Sequence, residues 1–328
     1  MGNVDRETII FDRTSGALEA PNLRSRVLVR AMQAAHKILA PVGHIGISRA
    51  HRLISRLVRP DTVTAVREGA FEFRFPSGDY YWNRLLDASW SYEPEIDVIL
   101  NRFAGVPFVF VDLGANFGFW STRVAAGVYG DHKVIAVEAS SYCYEGLKEN
   151  MRGKDASLHH RAIDDTSGKT IPLFGERHAG FSIDETWQGS SGKQVDEVVS
   201  ITIDDLLDEE KIDCSQQPVI VKLDVEGVEL RALQGASRTI AGNAIFIIED
   251  ADRDAPSAAI RYALDELGMC IIHVDRDRFV ELSTLEDLQR VKAQQSRIQT
   301  TGLNLLATKS PYWRDQMNAD RFIEQGPS

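Results

Sequence analysis

Two short runs of this sequence carry residue types at spacings that could do chemistry. Phe108-Val109-Phe110-Val111 reads as a strand buried in a parallel sheet, and it feeds Asp112-Leu113-Gly114-Ala115-Asn116-Phe117-Gly118. Gly114 and Gly118 let backbone approach a ligand without a Cβ in the way, and Asn116 tolerates a left-handed turn better than other non-glycine residues. A turn of this kind opens free N–H groups at a helix start, in the crevice beyond the strand ends. Twenty residues past Gly118 a second apolar run, Val134 to Val137, ends in Glu138, whose carboxylate can accept both hydroxyls of a ribose. A nicotinamide site calls for G-x-G-x-x-G around its pyrophosphate. Here the pattern is D-x-G-x-N-x-G. The Asp112 carboxylate repels a pyrophosphate and attracts a ligand bearing an ammonium and a sulfonium, so the turn favours S-adenosylmethionine over NAD.

The second run is Val219-Ile220-Val221-Lys222-Leu223-Asp224-Val225-Glu226-Gly227-Val228-Glu229. An apolar strand delivers Asp224 to its C-terminal end, the functional edge of such a sheet. Glu226 follows in the turn, and Glu229 falls in the first turn of the next helix, where the helix dipole favours an acid. Ile245-Phe246-Ile247-Ile248 likewise ends in Glu249-Asp250, so Asp224 and Glu249 are expected on adjacent strands near one crevice.

The elements that must position these residues alternate from Val106 onward, strand then helix, the rhythm of an α/β sheet covered on both faces. Strands are expected at 108–112, 133–138, 157–163, 218–224, 244–249, 269–274 and 303–308, with helices at 118–129, 141–151, 227–240, 256–267 and 284–296. Ser283 and Glu286 form an expected capping box for the last helix. The chain divides in this reading into an N-terminal helical extension, 1–104, a core, 105–310, and a polar tail, 311–328. Residues 1–20 read as frayed, 22–60 as helices and 70–75 as a strand, followed by the aromatics Tyr80, Tyr81, Trp82, Trp90 and Tyr92. Those rings either stack on a ligand or pack the N-terminal segment.

Of 328 residues, 43% are hydrophobic and 26% charged, an ordinary globular composition. A net charge of −11 argues against a nucleic-acid partner. No apolar run is long enough for a transmembrane helix, and the N-terminus lacks the apolar region of a secretory signal. Three scattered cysteines and eight histidines without metal spacing argue for a cytoplasmic protein with no zinc site. The charge is unevenly placed. Asn22 to Pro60 holds eight basic residues and no acid, and Arg49, Arg52, Arg56 and Arg59 fall on one helical stripe. That stripe is either a solvated helix face or a peripheral contact for an anionic membrane or glycan.

Asp112 to Gly118, Glu138, Ala162-Ile163-Asp164-Asp165-Thr166-Ser167-Gly168, Ile203-Asp204-Asp205-Leu206-Leu207 and Lys222 to Glu229 occur in that order. Together they resemble the FkbM family of S-adenosylmethionine-dependent methyltransferases, with K-x-D-x-E-G-x-E the most diagnostic piece. The resemblance covers about residues 90–308, from Trp90-Ser91-Tyr92-Glu93-Pro94 onward. It implies a Rossmann-like class I methyltransferase fold: a seven-stranded, mostly parallel sheet whose last strand, 303–308, is antiparallel. It implies O-methylation of a glycan or polyketide-like hydroxyl. It also implies cofactor contacts from Asp112, Gly114, Asn116 and Gly118, from Glu138 to the ribose, and from Asp164 near the adenine. Val228, where members often carry His, and Ala139, where Pro is common, depart from the pattern.

In-line methyl transfer to a hydroxyl needs alignment and a base within hydrogen-bond reach. Asp224 is the first candidate for that base. Glu226 and Glu249 either orient the acceptor or join Asp224 in an oxygen-only magnesium site. His178 is the alternative base. Two further readings are a nicotinamide-dependent oxidoreductase on a related sheet and a non-catalytic scaffold that keeps the cofactor site.

Overall fold

A computed structural model of the chain describes residues 7–39, 49, 53, 54, 56, 57, 59, 62–175, 181–184, 193–250, 256–294, 302–317, 320 and 321. They fall into two compact units, residues 1–92 with 146–152, and residues 93–145 with 153–328.

The first unit is built on a four-stranded sheet of β1 (Thr8–Asp12), β2 (Leu18–Glu19), β3 (Val63–Glu68) and β4 (Phe71–Pro76), in the order β2-β1-β3-β4. Residues 8–12 are not frayed as the sequence suggests. Ile9 and Phe11 alternate inward and pack with Val29, Met32 and Leu86. β1 and β3 run parallel, and such a pair needs a crossover, which the helix Leu23–Leu39 supplies. Phe71, Phe73 and Phe75 of β4 are buried on one face, the alternation expected over 70–75. Trp82 stands edge-on to Phe73 at 4.8 Å and is buried, so it is a packing residue. Tyr81, Trp90 and Tyr92 are half-buried beside it. The Arg13 guanidinium donates to the carbonyls of Leu85 (2.6 Å), Asp87 (3.0 Å) and Trp90 (2.6 Å), closing the turn that carries these rings. Of the four stripe arginines, Arg52 lies outside the described residues; Arg59 pairs with Glu7 at 3.2 Å.

The second unit carries a nine-stranded sheet. Its strands are β5 (Val109–Leu113), β6 (Lys133–Glu138), β7 (Ala156–His160), β11 (Val219–Leu223), β12 (Ala244–Asp250), β13 (Cys270–Asp275), β14 (Arg278–Leu282), β15 (Leu303–Thr308) and β16 (Asp320–Arg321). The spatial order is β16-β14-β13-β15-β12-β11-β5-β6-β7. The strands from β7 across to β12 in that order pair in parallel, and β15 inserts antiparallel between β12 and β13. This is the expected seven-stranded Rossmann-like sheet, reversed strand included, with β14 and β16 added at one edge. β14 escapes the sequence reading because its hairpin with β13 turns on Arg276-Asp277, where Arg276 takes a left-handed φ of 60° with no glycine to announce it. A small sheet of β8 (Ala162–Ile163), β10 (Gln194–Ile201) and β9 (Thr170–Phe174), in the order β8-β10-β9, lies between β7 and β11 in the chain.

Three other expectations change. The helix expected over 227–240 is two helices, Glu229–Gln234 and Ser237–Ala241. Gly235 between them sits where a Cβ would be 2.7 Å from the Asp164 carbonyl oxygen, so the chain must bend past that strand end. The cap of Leu285–Gln294 is shifted by one residue: Thr284 Oγ1 accepts from the Asp287 N–H, and the Asp287 carboxylate accepts from the N–H of Ser283 and of Thr284. The polar tail begins with a helix, Pro311–Met317, because Trp313 is fully buried and its indole N–H donates to the Asn243 carbonyl at 2.9 Å. Among the described residues no helix is long and apolar enough to cross a membrane.

Candidate functional site

Asp112 lies one residue before the end of β5 and is buried. Its Oδ2 accepts from the Ser121 hydroxyl (2.6 Å) and backbone N–H (3.1 Å), while its buried Oδ1 has no hydrogen-bond partner among the described residues. Burial pushes its carboxyl pKa up against the pull of Lys222 and Ser121. The turn after it is left-handed at Gly114 (φ 79°), Asn116 (φ 53°) and Gly118 (φ 81°). The need for glycine at 114 has a different origin from the one expected. A Cβ there would lie 1.8 Å from the Asp224 carbonyl oxygen, so this glycine lets two backbone turns touch.

Glu138 at the end of β6 is the second support of that turn. One carboxylate oxygen accepts from the Asn116 N–H at 2.7 Å and the other from the Ser140 N–H at 2.8 Å. Burial pushes its pKa up to about 7, against those two hydrogen bonds. Asp164, fully buried, is held by the Arg231 guanidinium at 2.6 Å and accepts from the Asp165 N–H at 2.8 Å.

The register of the sheet brings the second constellation to the first. Lys222 of β11 is the direct partner of Asp112 on β5, and Leu223 pairs with Ile248, which sets Asp224 beside Glu249. The Lys222 ammonium donates to Asp224 Oδ2 at 2.8 Å and is almost wholly buried. Burial works against its charge, but Asp224, Glu93 and Asp112 outweigh it and hold the ammonium above its ordinary pKa. Glu249 is pushed well above the usual carboxylate range, first by burial and then by Asp224, Glu93 and Glu226; it also hydrogen-bonds Asp224. Its Oε1 accepts from the Gly302 N–H at 3.1 Å.

Two groups without an assigned role in the sequence reading belong here. Glu93 is a buried carboxylate on a left-handed residue (φ 42°) that precedes the helix Pro94–Arg102. It accepts from the Trp120 indole N–H at 2.6 Å, and burial pushes its pKa up to about 7, with Lys222 opposing and Asp224 adding to the rise. Lys222 is the other. The signal for it was present: a lone cation inside an apolar strand must find buried acids. Four carboxylates, Glu93, Asp112, Asp224 and Glu249, thus cluster around one ammonium, three of them acting on it directly and Glu249 through Asp224.

Glu226 is a left-handed residue (φ 50°) before Gly227 (φ 94°), and its carbonyl accepts from the Ser182 hydroxyl at 2.6 Å. Glu229 Oε1 accepts from the Gly227 N–H at 3.1 Å, a turn-holding contact, and burial pushes its pKa up to about 7. His178 lies outside the described residues. Among the described residues no group of three or more His, Cys, Asp or Glu has metal-binding geometry, so the magnesium reading finds no donor set there.

The raised carboxyls make stability depend on pH with a definite sign. Glu93, Glu138 and Glu229 bind protons more tightly folded than unfolded, so they add stability below pH 4.5 that is lost as pH climbs through about 7. Thermal midpoints should fall steadily from pH 5 to pH 8. A midpoint that rises over that interval would contradict these protonation states.

Residues 112–268 match the family described as Methyltransferase FkbM domain. No curated protein matches the chain. Among solved structures, the crystal structure of P. horikoshii TYW2 in complex with MeSAdo is similar over 82% of this chain and 83% of that one, with 14% identity and a TM-score of 0.34.

Proposed function

We propose, from the match of residues 112–268 to the methyltransferase FkbM domain, that the chain transfers a methyl group from S-adenosylmethionine to a hydroxyl of a glycan or polyketide-like acceptor. The observation that carries this reading is the excess of buried acid around Lys222, with one oxygen of Asp112 unpartnered among the described residues. A ligand bearing both ammonium and sulfonium supplies the missing positive charge. A dinucleotide pyrophosphate would add to the repulsion, which disfavours the nicotinamide reading.

The residues present fit the cofactor. Asp112 would hold the ammonium end, the Asp112–Gly118 turn its middle, and Glu138 the ribose hydroxyls. Asp164 would face the adenine, held in place by the Arg231 guanidinium at 2.6 Å. When bound, the cofactor supplies an electrophilic methyl group on sulfur. The chain's own residues must then place a hydroxyl and take its proton. Asp224 and Glu249 are hydrogen-bonded neighbours near the strand ends, and that contact adds to burial in holding the Glu249 carboxyl above the usual carboxylate range. Asp224, paired with the Lys222 ammonium at 2.8 Å, accepts the proton of the acceptor, and Glu249 and Glu226 orient it.

Calorimetric titration with S-adenosylmethionine and with NAD tests the cofactor; heat only with NAD would overturn the reading. Comparing glycans and metabolites from wild-type and deletion strains for the mass of one methyl group tests the acceptor. Asp224→Asn should keep cofactor affinity within a fewfold and lower turnover roughly 10²–10⁴-fold, the usual worth of a positioned base. Full turnover in that variant would remove Asp224 from the role. Cofactor affinity should itself rise with pH up to about 7, because Glu138 binds best ionised. Proton release on binding, read in buffers of different ionisation heat, checks this.

A further inference from the structure

The helix Leu23–Leu39 has two apolar faces, and among the described residues only one is packed. Val29 and Met32 point into the first unit's core. On the other side Leu23, Val27, Ala31, Ala34 and Ile38 follow one another at intervals of four, four, three and four residues, which places them on a single stripe about 22 Å long. All five are exposed, Leu23 by 74%, Val27 by 57% and Ile38 by 72%. Helical geometry sets Arg26, Arg30 and Lys37 along one edge of the stripe and Arg24 along the other. All four are exposed. Arg24 donates to the Leu57 carbonyl at 2.7 Å and Arg30 to the Gln33 side chain at 2.9 Å, contacts that leave the apolar stripe uncovered among the described residues. Leu53 and Leu57, later in the same basic window, are exposed by 64% and 54%.

We infer that this helix face docks the protein onto an anionic lipid bilayer, its apolar stripe in the interface and its flanking cations on the headgroups. Charge selects among the occupants. Two copies meeting through this stripe would bring like charges together, since no Asp or Glu lies between Asn22 and Pro60 to pair them. A phosphate polymer would use the cations and leave the stripe in water. A bilayer surface uses both, because arginine and lysine reach outward to headgroups while the apolar side chains are buried below them. The chain as a whole is acidic, at −11, so attraction to an anionic surface must be local to this window.

Sedimentation of the full chain with phosphatidylcholine vesicles, and with vesicles that also contain phosphatidylglycerol, tests the assignment. Binding should require phosphatidylglycerol and weaken in high salt. Neutralising R26Q/R30Q/K37Q together should lower partitioning roughly a hundredfold, at roughly fivefold per cation. V27S/I38S should also lower it, with an unchanged thermal midpoint because both side chains are exposed in the free protein. Absence of phosphatidylglycerol-dependent binding, or binding that neither variant alters, would overturn the proposal. A dimer in sedimentation velocity that V27S/I38S dissociates would assign the stripe to a second copy instead.

Discussion

Gly114→Ala is expected to destroy cofactor binding and to lower the thermal midpoint by about 10 °C. The backbone there is left-handed, at φ 79°, which costs a residue with a Cβ about 1–2 kcal/mol. The larger effect is steric. The new methyl would lie 1.8 Å from the Asp224 carbonyl oxygen, a backbone atom with no rotamer to escape through. The Asp112–Gly118 turn and the Asp224–Gly227 turn would have to separate, and overpacking of this kind costs about 1–3 kcal/mol more. At roughly 2–4 °C per kcal/mol for a domain of this size, the two costs together produce a drop of that order. Differential scanning fluorimetry and titration with S-adenosylmethionine measure both effects. Loss of binding with an unchanged midpoint would mean that the glycine serves the ligand alone, and an unchanged affinity would mean the turns are not coupled.

The second large effect is expected from Lys222→Met. The substitution keeps the length of the side chain and removes the one cation that Asp224, Glu93 and Asp112 share. Breaking a buried pair by deleting one partner destabilises by about 3–5 kcal/mol, because the remaining charge keeps no compensation. The pH dependence separates this from a packing defect. Without the ammonium Glu93 and Asp112 need protons more, so their folded pKa values rise further above the unfolded ones. Stability from such groups is present at low pH and lost as pH rises. The variant should therefore be most defective at pH 8 and recover much of its stability at pH 5. Equal defects at the two pH values would show that Lys222 acts through packing. Glu93→Gln in the same background should restore part of the loss at pH 8.

Much of the core was legible because each layer of signal agreed. Strands 133–138 and 303–308 fall where the apolar runs put them. The adjacency of Asp224 and Glu249 follows from parallel strands that start level, Val219 opposite Ala244, and stay in register. What was hidden depended on contacts between distant parts of the chain. Trp120, Glu93 and Lys222 meet only once the helix after the glycine turn, the segment before Pro94 and β11 are assembled. No spacing in the sequence records that meeting. β16 escapes the sequence reading because two residues give no alternation to read. The break at Gly235 was missed because its cause, the Asp164 carbonyl, lies far away in the chain.

The imbalance of charge around Lys222 also bears on product release. On the proposed reading, methyl transfer to a hydroxyl would convert the sulfonium's positive charge into the proton that the hydroxyl releases. Carboxylates already poised to hold protons can receive it, so the pocket's total charge stays constant through the reaction. The spent product would keep its ammonium but lose the sulfonium charge, so these acids would hold it less firmly than the next donor. The same buried acids that burden the empty fold would thereby favour exchange of product for fresh donor.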